Sequence, residues 1–367
     1  MPRTVAVKEG NTLLTVPEEH SSGGPGKKTG GVFFNSQMAF NRDVSVMLLR
    51  SLERNITVAD AMTATGARAV RIANEAKNTE VTANDVNPDS LPFIEKNIAQ
   101  NNLENCEPSI KNLHVLFSEH AFGYVDLDPF GSPVPFIQSA IRGCSRKGIL
   151  AVTATDTAPL AGAHAAKCRR RYQSEPVRGY MCHEGGLRIL MSAVARELAK
   201  FDRGMVPMLS FSADHYYRTY VRITEGSVEA DKMLAQLNYM HYDRSTMERS
   251  LSEHSDSEHR LGPLWAGPLH DRDILDSMSP EGTAEEKRCG KMLDIWKEEL
   301  DSVFVYDLSE LSSHTKLSPP KIDRMIEELR LYGRASKTHV SPTSFKTDLN
   351  LNEIISVYSS VSPDGKR

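Results

Sequence analysis

Residues 126–133 read Asp126-Leu-Asp-Pro-Phe-Gly-Ser-Pro133 and follow the apolar run at 122–125. An Asp-Pro-aromatic turn at a strand end presents a carboxylate, a carbonyl edge and an aromatic face together. That combination suits holding a flat nucleobase and accepting hydrogen bonds from its exocyclic amine. The same dipeptide also starts ordinary turns and helices. Asp128 and Phe130 are the side chains at stake, and Phe33-Phe34-Asn35 supplies a second aromatic pair able to stack on a base or to fill a core.

A second set of residues has the types and spacing of a nucleoside-cofactor site. Asp60-Ala-Met-Thr-Ala-Thr-Gly66 is a strand-to-helix turn ending in glycine, where S-adenosylmethionine (SAM) would lie; Ala64 occupies the position of the first glycine of the usual Gly-x-Gly form. Asp85 follows Gly66 by 19 residues, at the end of the next β-branched run, where a carboxylate can accept both ribose hydroxyls or cap a helix. Asn112 stands before the apolar 115–117 and can meet an adenine edge or be a polar loop residue. Arg42, in Asn41-Arg-Asp43, is a two-pronged donor suited to a cofactor carboxylate.

The basic residues cluster. Lys167-Cys-Arg-Arg-Arg171 puts Arg169, Arg170 and Arg171 in one run, with Arg178 and Arg188 nearby. Such a run is either a solvated face or a contact for a phosphate backbone. Lys321, Arg324, Arg330, Arg334, Lys337 and Lys346 form a second group near the C-terminus. The glycine-rich stretch 18–31 contains Gly26-Lys27 but fails the phosphate-loop pattern, because Ser21 replaces the first glycine and Lys28 the Ser or Thr. It reads as a loop whose lysines can touch phosphate.

These residues need a frame. Apolar spacing predicts a helix over 37–54, strands at 56–60, 81–85, 122–127 and 148–154, and helices over 67–76 and 89–101. Strands alternating with helices indicate a doubly wound, mostly parallel α/β sheet, whose ligands sit at the carboxyl ends of the strands. Beyond residue 225 the texture changes: 243–261 is polar without periodicity, 284–301 is helical in pattern, a helix runs from 318 to 331, and 340–346 suggests the wing of a small winged-helix-like α+β module. The expected division is 1–225 and 226–367.

The bulk properties set limits. With 367 residues the chain exceeds one typical core. A net charge of −4 argues against non-specific nucleic-acid binding but not against a local basic face. Five scattered cysteines without a Cys-x-x-Cys pair argue against a disulfide framework and a four-cysteine zinc site and fit reduced thiols. No apolar run spans a bilayer and no secretory segment opens the chain, so a cytoplasmic location is expected.

Together the motifs resemble the archaeal and eukaryotic tRNA (guanine-26-N2)-dimethyltransferase family, over nearly the whole chain. The resemblance runs through Val32-Phe-Phe-Asn35, Asn41-Arg-Asp43, Ala64-Thr-Gly-Ala-Arg-Ala-Val-Arg71, the octet at 126–133, Val152-Thr-Ala-Thr-Asp156, His183-Glu-Gly-Gly186, Gly262-Pro-Leu-Trp-Ala-Gly-Pro-Leu269, Thr338-His-Val-Ser-Pro342 and Phe345-Lys-Thr347. It implies a Rossmann-like class I SAM-dependent methyltransferase domain with a smaller C-terminal tRNA-docking domain, acting as a monomer on N2 of guanine 26. By this resemblance Asp128 is the catalytic acid, Phe130 and Phe33 are the faces of a base clamp, and Arg42, Arg68, Asp85 and Asn112 join Gly66 around the cofactor. Arg169, Arg170, Arg171, Arg178 and Lys337 are then nucleic-acid contacts. The sequence departs from the family where Asn112 replaces an aspartate, where Ser36 replaces a proline, and at 239–261, which lacks the cysteine pairs of many members; no metal is expected. Two other readings remain open at this level: an amino-methyltransferase for another RNA, DNA adenine or protein glutamine, and a non-catalytic RNA-binding protein on the same fold.

Overall fold

The computed structural model describes residues 3–21 and 31–364. Most of the glycine-rich stretch, including Lys27 and Lys28, lies outside the described residues. The chain opens on an antiparallel hairpin of β1 (Thr4–Glu9) and β2 (Thr12–Pro17). α1 (Ala39–Arg50) follows, shorter at both ends than the expected 37–54.

Next comes the alternation that the apolar spacing predicts. β3 (Ile56–Asp60), α2 (Ala67–Glu75), β4 (Thr79–Asp85), α3 (Leu91–Gln100), β5 (Cys106–Ile110), α4 (Leu113–Glu119), β6 (Phe122–Leu127), α5 (Val134–Gly143) and β7 (Cys144–Ala154) succeed one another. The expected helix over 89–101 is a 3-10 turn at Pro88–Ser90 leading into α3, because Asn87 caps the turn and prolines sit in both first turns. β8 (Arg203–Ala213) and β9 (Tyr216–Glu225) complete a seven-stranded sheet of order β5-β4-β3-β6-β7-β9-β8. The pairings β3–β4, β3–β6, β4–β5 and β6–β7 are all parallel. The chain leaves β3 toward β4 and β5, then returns to β6 on the opposite side. The carboxyl ends of β3 and β6 therefore flank the topological switch. Burial on both faces explains the continuous apolar runs, with Val58, Ala59, Val125, Leu127 and 149–152 fully buried.

The remaining elements are α6 (Thr157–Leu160), α7 (Ala165–Tyr172), α8 (Cys182–Ala199), α9 (Ser227–Leu234), β10 (Leu237–Tyr242), β11 (Arg249–Ser252), β12 (Leu261–Trp265), α10 (Arg272–Ser277) and α11 (Glu286–Glu298). A last module runs β13 (Tyr306–Asp307), α12 (Leu308–Thr315), α13 (Ile322–Leu329), β14 (Ala335–Lys337), β15 (Ser344–Thr347) and α14 (Leu351–Val361). Its core gathers Leu311, Met325, Ile326, Leu329, Phe345, Ile354 and Tyr358. α13 stops at Leu329 rather than at 331, because Leu329 is the last side chain the core takes up. The stretch 243–261, which shows no periodicity, contains β11 of a three-stranded sheet, where neighbouring strands rather than an apolar face set the conformation. Two compact units interleave along the chain: Met1–Thr155 with Tyr220–Glu225 and Asp271–Leu293, and Asp156–Thr219 with Gly226–His270 and Asp294–Arg367. No helix among the described residues is long and apolar enough to cross a membrane.

In the first unit a buried ionic network ties the N-terminal hairpin to the helices. Arg71 is fully buried and meets Asp43 at 2.6 Å, Glu75 at 2.9 Å and Glu9 at 3.4 Å. Asp43 also accepts from the backbone N–H groups of Ala284 and Glu285, at 3.0 and 2.8 Å. Removing one member of such a network leaves its partners charged and dry. Arg71→Leu is therefore expected to cost about 3–5 kcal/mol, measured by denaturant unfolding, whereas an exposed Lys232→Ala change should cost under about 1 kcal/mol.

Candidate active site

The ends of β3, β4 and β6 bring the acids of the sequence motifs together within the first unit. Asn84, fully buried, fastens these ends: its amide donates to the carbonyls of Ala61 and Lys111 at 3.1 and 3.0 Å and accepts from Ser109 and the Lys111 N–H. That leaves Asp85 at the strand tip. Its carboxylate accepts from the Ala64 and Asn87 N–H groups, each at 2.8 Å. The β3–α2 turn then needs left-handed backbone twice. Gly66 has φ +80°, and Ala64 takes φ +51° in place of the glycine the usual pattern would supply. The Asp85 carboxylate, bonded to the Ala64 N–H, is what holds that conformation against the Cβ penalty.

At the end of β6, the Asp-Pro-Phe-Gly turn is closed against β7. The Gly131 N–H donates to Thr155 Oγ1 at 2.7 Å, and the Thr155 N–H returns to the Gly131 carbonyl at 3.0 Å. Gly131 has φ +83°, so glycine ends the turn without strain. The turn leaves Asp128 half-buried and Phe130 58% exposed. Phe33 meets Phe130 edge to face, with ring centroids 4.6 Å apart and planes at 79°. Phe34, by contrast, is buried beneath the Arg42 guanidinium. The two aromatics at 33–34 thus divide between a half-buried ring against Phe130 and the core.

Arg68 joins the sets. Its Nη1 donates to Asn41 Oδ1 at 2.7 Å and to Ser45 Oγ at 2.8 Å, its Nη2 is paired with Asp128, and its Nε lies 3.5 Å from Asp126. Asp126 also accepts from the Tyr124 hydroxyl at 2.8 Å. Arg42 is turned onto Glu9, with Nε and Nη2 on its two oxygens at 2.8 and 2.5 Å. Asn112 is exposed and caps α4, accepting from the His114 N–H at 2.9 Å. The sequence reading missed Val86, which follows Asp85 and is 66% exposed; an apolar side chain left open beside a ribose-type carboxylate is the signal that could have found it. Asn41 Nδ2 is a further missed donor, buried and without a partner. With the Asp85 carboxylate and Val86, these groups fit a nucleoside-bearing amino-acid cofactor: acceptor, apolar shelf and spare donor are all present.

The second unit carries the basic residues. Arg169, Arg170, Arg171 and Arg178 are exposed; Arg169 pairs with Glu175 at 2.7 Å and Arg171 with Asp156 at 2.8 Å. Lys337 is exposed and pairs with Asp323 at 2.5 Å. Two expected members of the basic groups are not on the surface. Arg188 is buried against Glu184 at 2.7 Å, and Lys346 is buried with its ammonium 2.9 Å from both Glu184 and Glu299. Neither can touch a backbone phosphate. His270, Glu299 and His339 offer ligand atoms within 4.8 Å of one another. Yet Glu299 is already taken by Lys346, Thr338 and the His339 ring, and His339 Nε2 accepts from the Ser212 N–H at 3.2 Å. Glu299 and His339 are thus engaged in internal bonds, whereas both ring nitrogens of His270 are buried without a hydrogen-bond partner, Nε2 lying 3.7 Å from Glu299.

A strand-end carboxylate beside a pair of aromatic rings, at the switch point of a doubly wound sheet, is the arrangement of methyltransferases that act on amino nitrogens. The comparisons with known proteins agree. The family model described as N2,N2-dimethylguanosine tRNA methyltransferase matches residues 10–359. A tRNA (guanine(26)-N(2))-dimethyltransferase of Pyrococcus abyssi is 38% identical over 97% of this chain and 99% of its own length. Its counterpart in Methanosphaerula palustris is 38% identical with the same coverage. The structure of Trm1 from Pyrococcus horikoshii in complex with S-adenosyl-L-methionine aligns with a TM-score of 0.89 at 34% identity, over 96% of this chain and 99% of that one. The chain belongs to the N2,N2-dimethylguanosine tRNA methyltransferase family.

Asp60 has an unusual titration. Burial is the main cause, opposed by the Arg68 charge and reinforced by Asp126, and its carboxyl is raised from an ordinary 3.8 to about 7. The fold therefore holds a proton that the unfolded chain has released, and this group's contribution to stability is lost as pH rises from about 4 through 7. Melting temperatures of the wild type and Asp60→Asn across that window should converge at low pH, with the wild type falling relative to the variant as pH rises; parallel curves would contradict the assignment.

Proposed function

We propose that this enzyme transfers one or two methyl groups from SAM to N2 of guanine at position 26 of tRNA, giving N2-methyl- and N2,N2-dimethylguanosine. The observation that carries this reading is the Asp128 carboxylate, paired with Arg68, on the turn that also presents Phe130 to Phe33. The guanine leaves its stack, because N2 cannot meet a methyl donor inside a paired helix. Phe33 and Phe130 part from their edge-to-face contact and take the base between them. Asp128 accepts from the N2 amine, aims its lone pair, stabilises the positive charge that grows on nitrogen and takes the proton the amine sheds. When bound, SAM supplies a methyl group already activated on a sulfonium. The chain's task is consequently to position and to exclude water.

On the cofactor side, Asp85 accepts the ribose hydroxyls, Val86 packs on the adenine, and the turn at Gly66 admits the close approach of the backbone. Asn112 turns its amide to the adenine edge, Arg68 and Asn41 close the inner wall, and Arg42 reaches the carboxylate by exchanging Glu9 for it. Arg169, Arg170, Arg171 and Arg178 on and after α7, with Lys337, contact tRNA phosphates without reading sequence. Catalysis is assigned to 1–225 and docking to 226–367. The compact units cut the chain differently and group α7 with the docking part. The enzyme works in the cytoplasm as a monomer.

Labelled SAM and unmodified tRNA transcripts test the reaction. N2-methylated guanosine should appear and vanish when guanine 26 is replaced; label on DNA or protein instead would overturn the substrate. Asp128→Asn should bind SAM as the wild type does and lose about 10²–10⁴-fold in turnover. Unchanged turnover would remove Asp128 from the chemistry.

A further inference from the structure

We propose that Arg178 and Arg244, with Lys167 and Arg170 beside them, form a clasp in the second unit for phosphates of the tRNA backbone. The inference rests on the tRNA reading above and deepens it. It adds Arg244, which no sequence motif marked, and it ranks the arginines of α7 by whether an acid already holds them.

The charges are free to bind. Residues 156–183 and 243–248 hold six cations, Lys167, Arg169, Arg170, Arg171, Arg178 and Arg244, against four acids, Asp156, Glu175, Asp243 and Glu248. A positive excess therefore stays with every acid counted, in a chain whose net charge is −4. Two of the acids are taken: Asp156 holds Arg171 at 2.8 Å and Glu175 holds Arg169 at 2.7 Å. Asp243 is turned onto its own loop, where it accepts from the N–H and the hydroxyl of Ser245, each at 2.7 Å. Lys167, Arg170, Arg178 and Arg244 make no ion pair among the described residues. Arg170, Arg178 and Arg244 are exposed and Lys167 is half-buried.

The fold brings these four together from three segments. A Cβ at Gly162 would stand 2.5 Å from Arg178 Cγ, so the Arg178 stem lies on the backbone between α6 and α7. A Cβ at Gly179 would stand 3.2 Å from Arg244 Nε, so the Arg244 guanidinium lies over the residue that follows Arg178. Two residues beyond Gly162 opens a hollow of about 410 Å³, lined by His164, Ala165, Ala166, Lys167 and Arg170. The backbone under the arginines is braced. The Asp243 N–H donates to the Glu248 carbonyl at 3.0 Å across the β10–β11 turn. Glu175 and Gly262 exchange N–H and carbonyl bonds at 2.7 Å. Guanidinium groups held on fixed backbone lose less freedom when they close on a ligand.

Charge and composition select the occupant. A phosphodiester takes the two-pronged donors that arginine offers, and its binding releases counterions from the nucleic acid. Tyr180 is the only large apolar side chain exposed in these two stretches, at 38%. The surface therefore lacks the apolar centre of a protein interface. Arg169 and Arg171 must give up a carboxylate before they can hold a phosphate, so they contribute less than the four free cations.

The test uses the full chain and an unmodified tRNA transcript. Arg244→Ala should weaken tRNA binding about five- to tenfold at fixed salt, and the plot of log affinity against log salt should become shallower by about 1. The loss should appear in KM for tRNA, with SAM affinity and melting temperature as in the wild type. Arg244→Lys should recover most of the binding, because a phosphate contact needs the charge. Arg169→Ala should cost less affinity than Arg244→Ala. Affinity within twofold of wild type for Arg244→Ala would overturn the inference, as would a loss of affinity with an unchanged salt slope. Failure of the wild type to methylate tRNA would overturn the underlying reading; methylation by the wild type with an indifferent Arg244 overturns this inference alone.

Discussion

One guanidinium holds the site together. Arg68 is buried and cannot be solvated, so its donors must be met by protein. They are met by Asn41 and Ser45 of α1, by Asp128 of the β6 turn and, at longer range, by Asp126. The partners come from α1 and from the end of β6 with its turn, and a planar fork satisfies them only when all stand at the right distance. The Asp128 carboxylate is therefore aimed by the packing of α1 and α2 against the sheet. The adjoining Asp60 keeps a proton up to about pH 7 chiefly because it is buried; the Arg68 charge opposes this, and the neighbouring acids Asp126 and Asp128 add to it.

The other buried charges extend this constraint outward. Arg71 and Arg42 both engage Glu9, so the N-terminal hairpin is bonded to α1 and α2 through salt bridges as well as apolar contact. Phe33 stands in the segment between hairpin and α1, and its place beside Phe130 depends on that anchoring. In the second unit Glu299 plays a comparable part. Burial opposes its charge, but His339 and Lys346 hold its carboxyl well below the usual range. Lys346 in turn reaches Glu184, so the last module's β15 and helix α8 share one ionic cluster. In both units the polar core specifies which elements meet, at the expense of desolvating charges.

The legible part of the molecule was local. A short β-branched run ending in an acid, a glycine turn and a helix is written in adjacent residues, so the strands at Asp60, Asp85 and Asp126 and the turn at 128–131 can be read from sequence. The fates of the basic residues cannot. Arg42 and Arg68 look alike as candidate cofactor donors, yet Glu9 lies 33 residues before Arg42 and Asp128 lies 60 residues after Arg68. Lys346 looks like an exposed charge because Glu184 and Glu299, which draw it inside, become its neighbours only in the fold; Arg188 has Glu184 one turn away on its own helix, but the Trp265 and Gly267 carbonyls that complete its burial are distant in sequence. The β1–β2 hairpin escapes notice because its first strand is short and buries only Glu9 fully, with Val5 and Val7 no more than half-buried. Leu331 reads as the end of an amphipathic helix, since nothing local says that the core stops at Leu329.

Arg68→Lys tests the central constraint most directly, because it keeps the charge and removes the fork. The measurement is the single-turnover rate of methyl transfer to tRNA at saturating SAM. If Arg68 aims Asp128, the rate should fall at least about tenfold while tRNA affinity and the cooperativity of unfolding stay as they are. A rate equal to the wild type's would show that the carboxylate finds its place without the guanidinium, and that the arrangement around Arg68 serves folding alone.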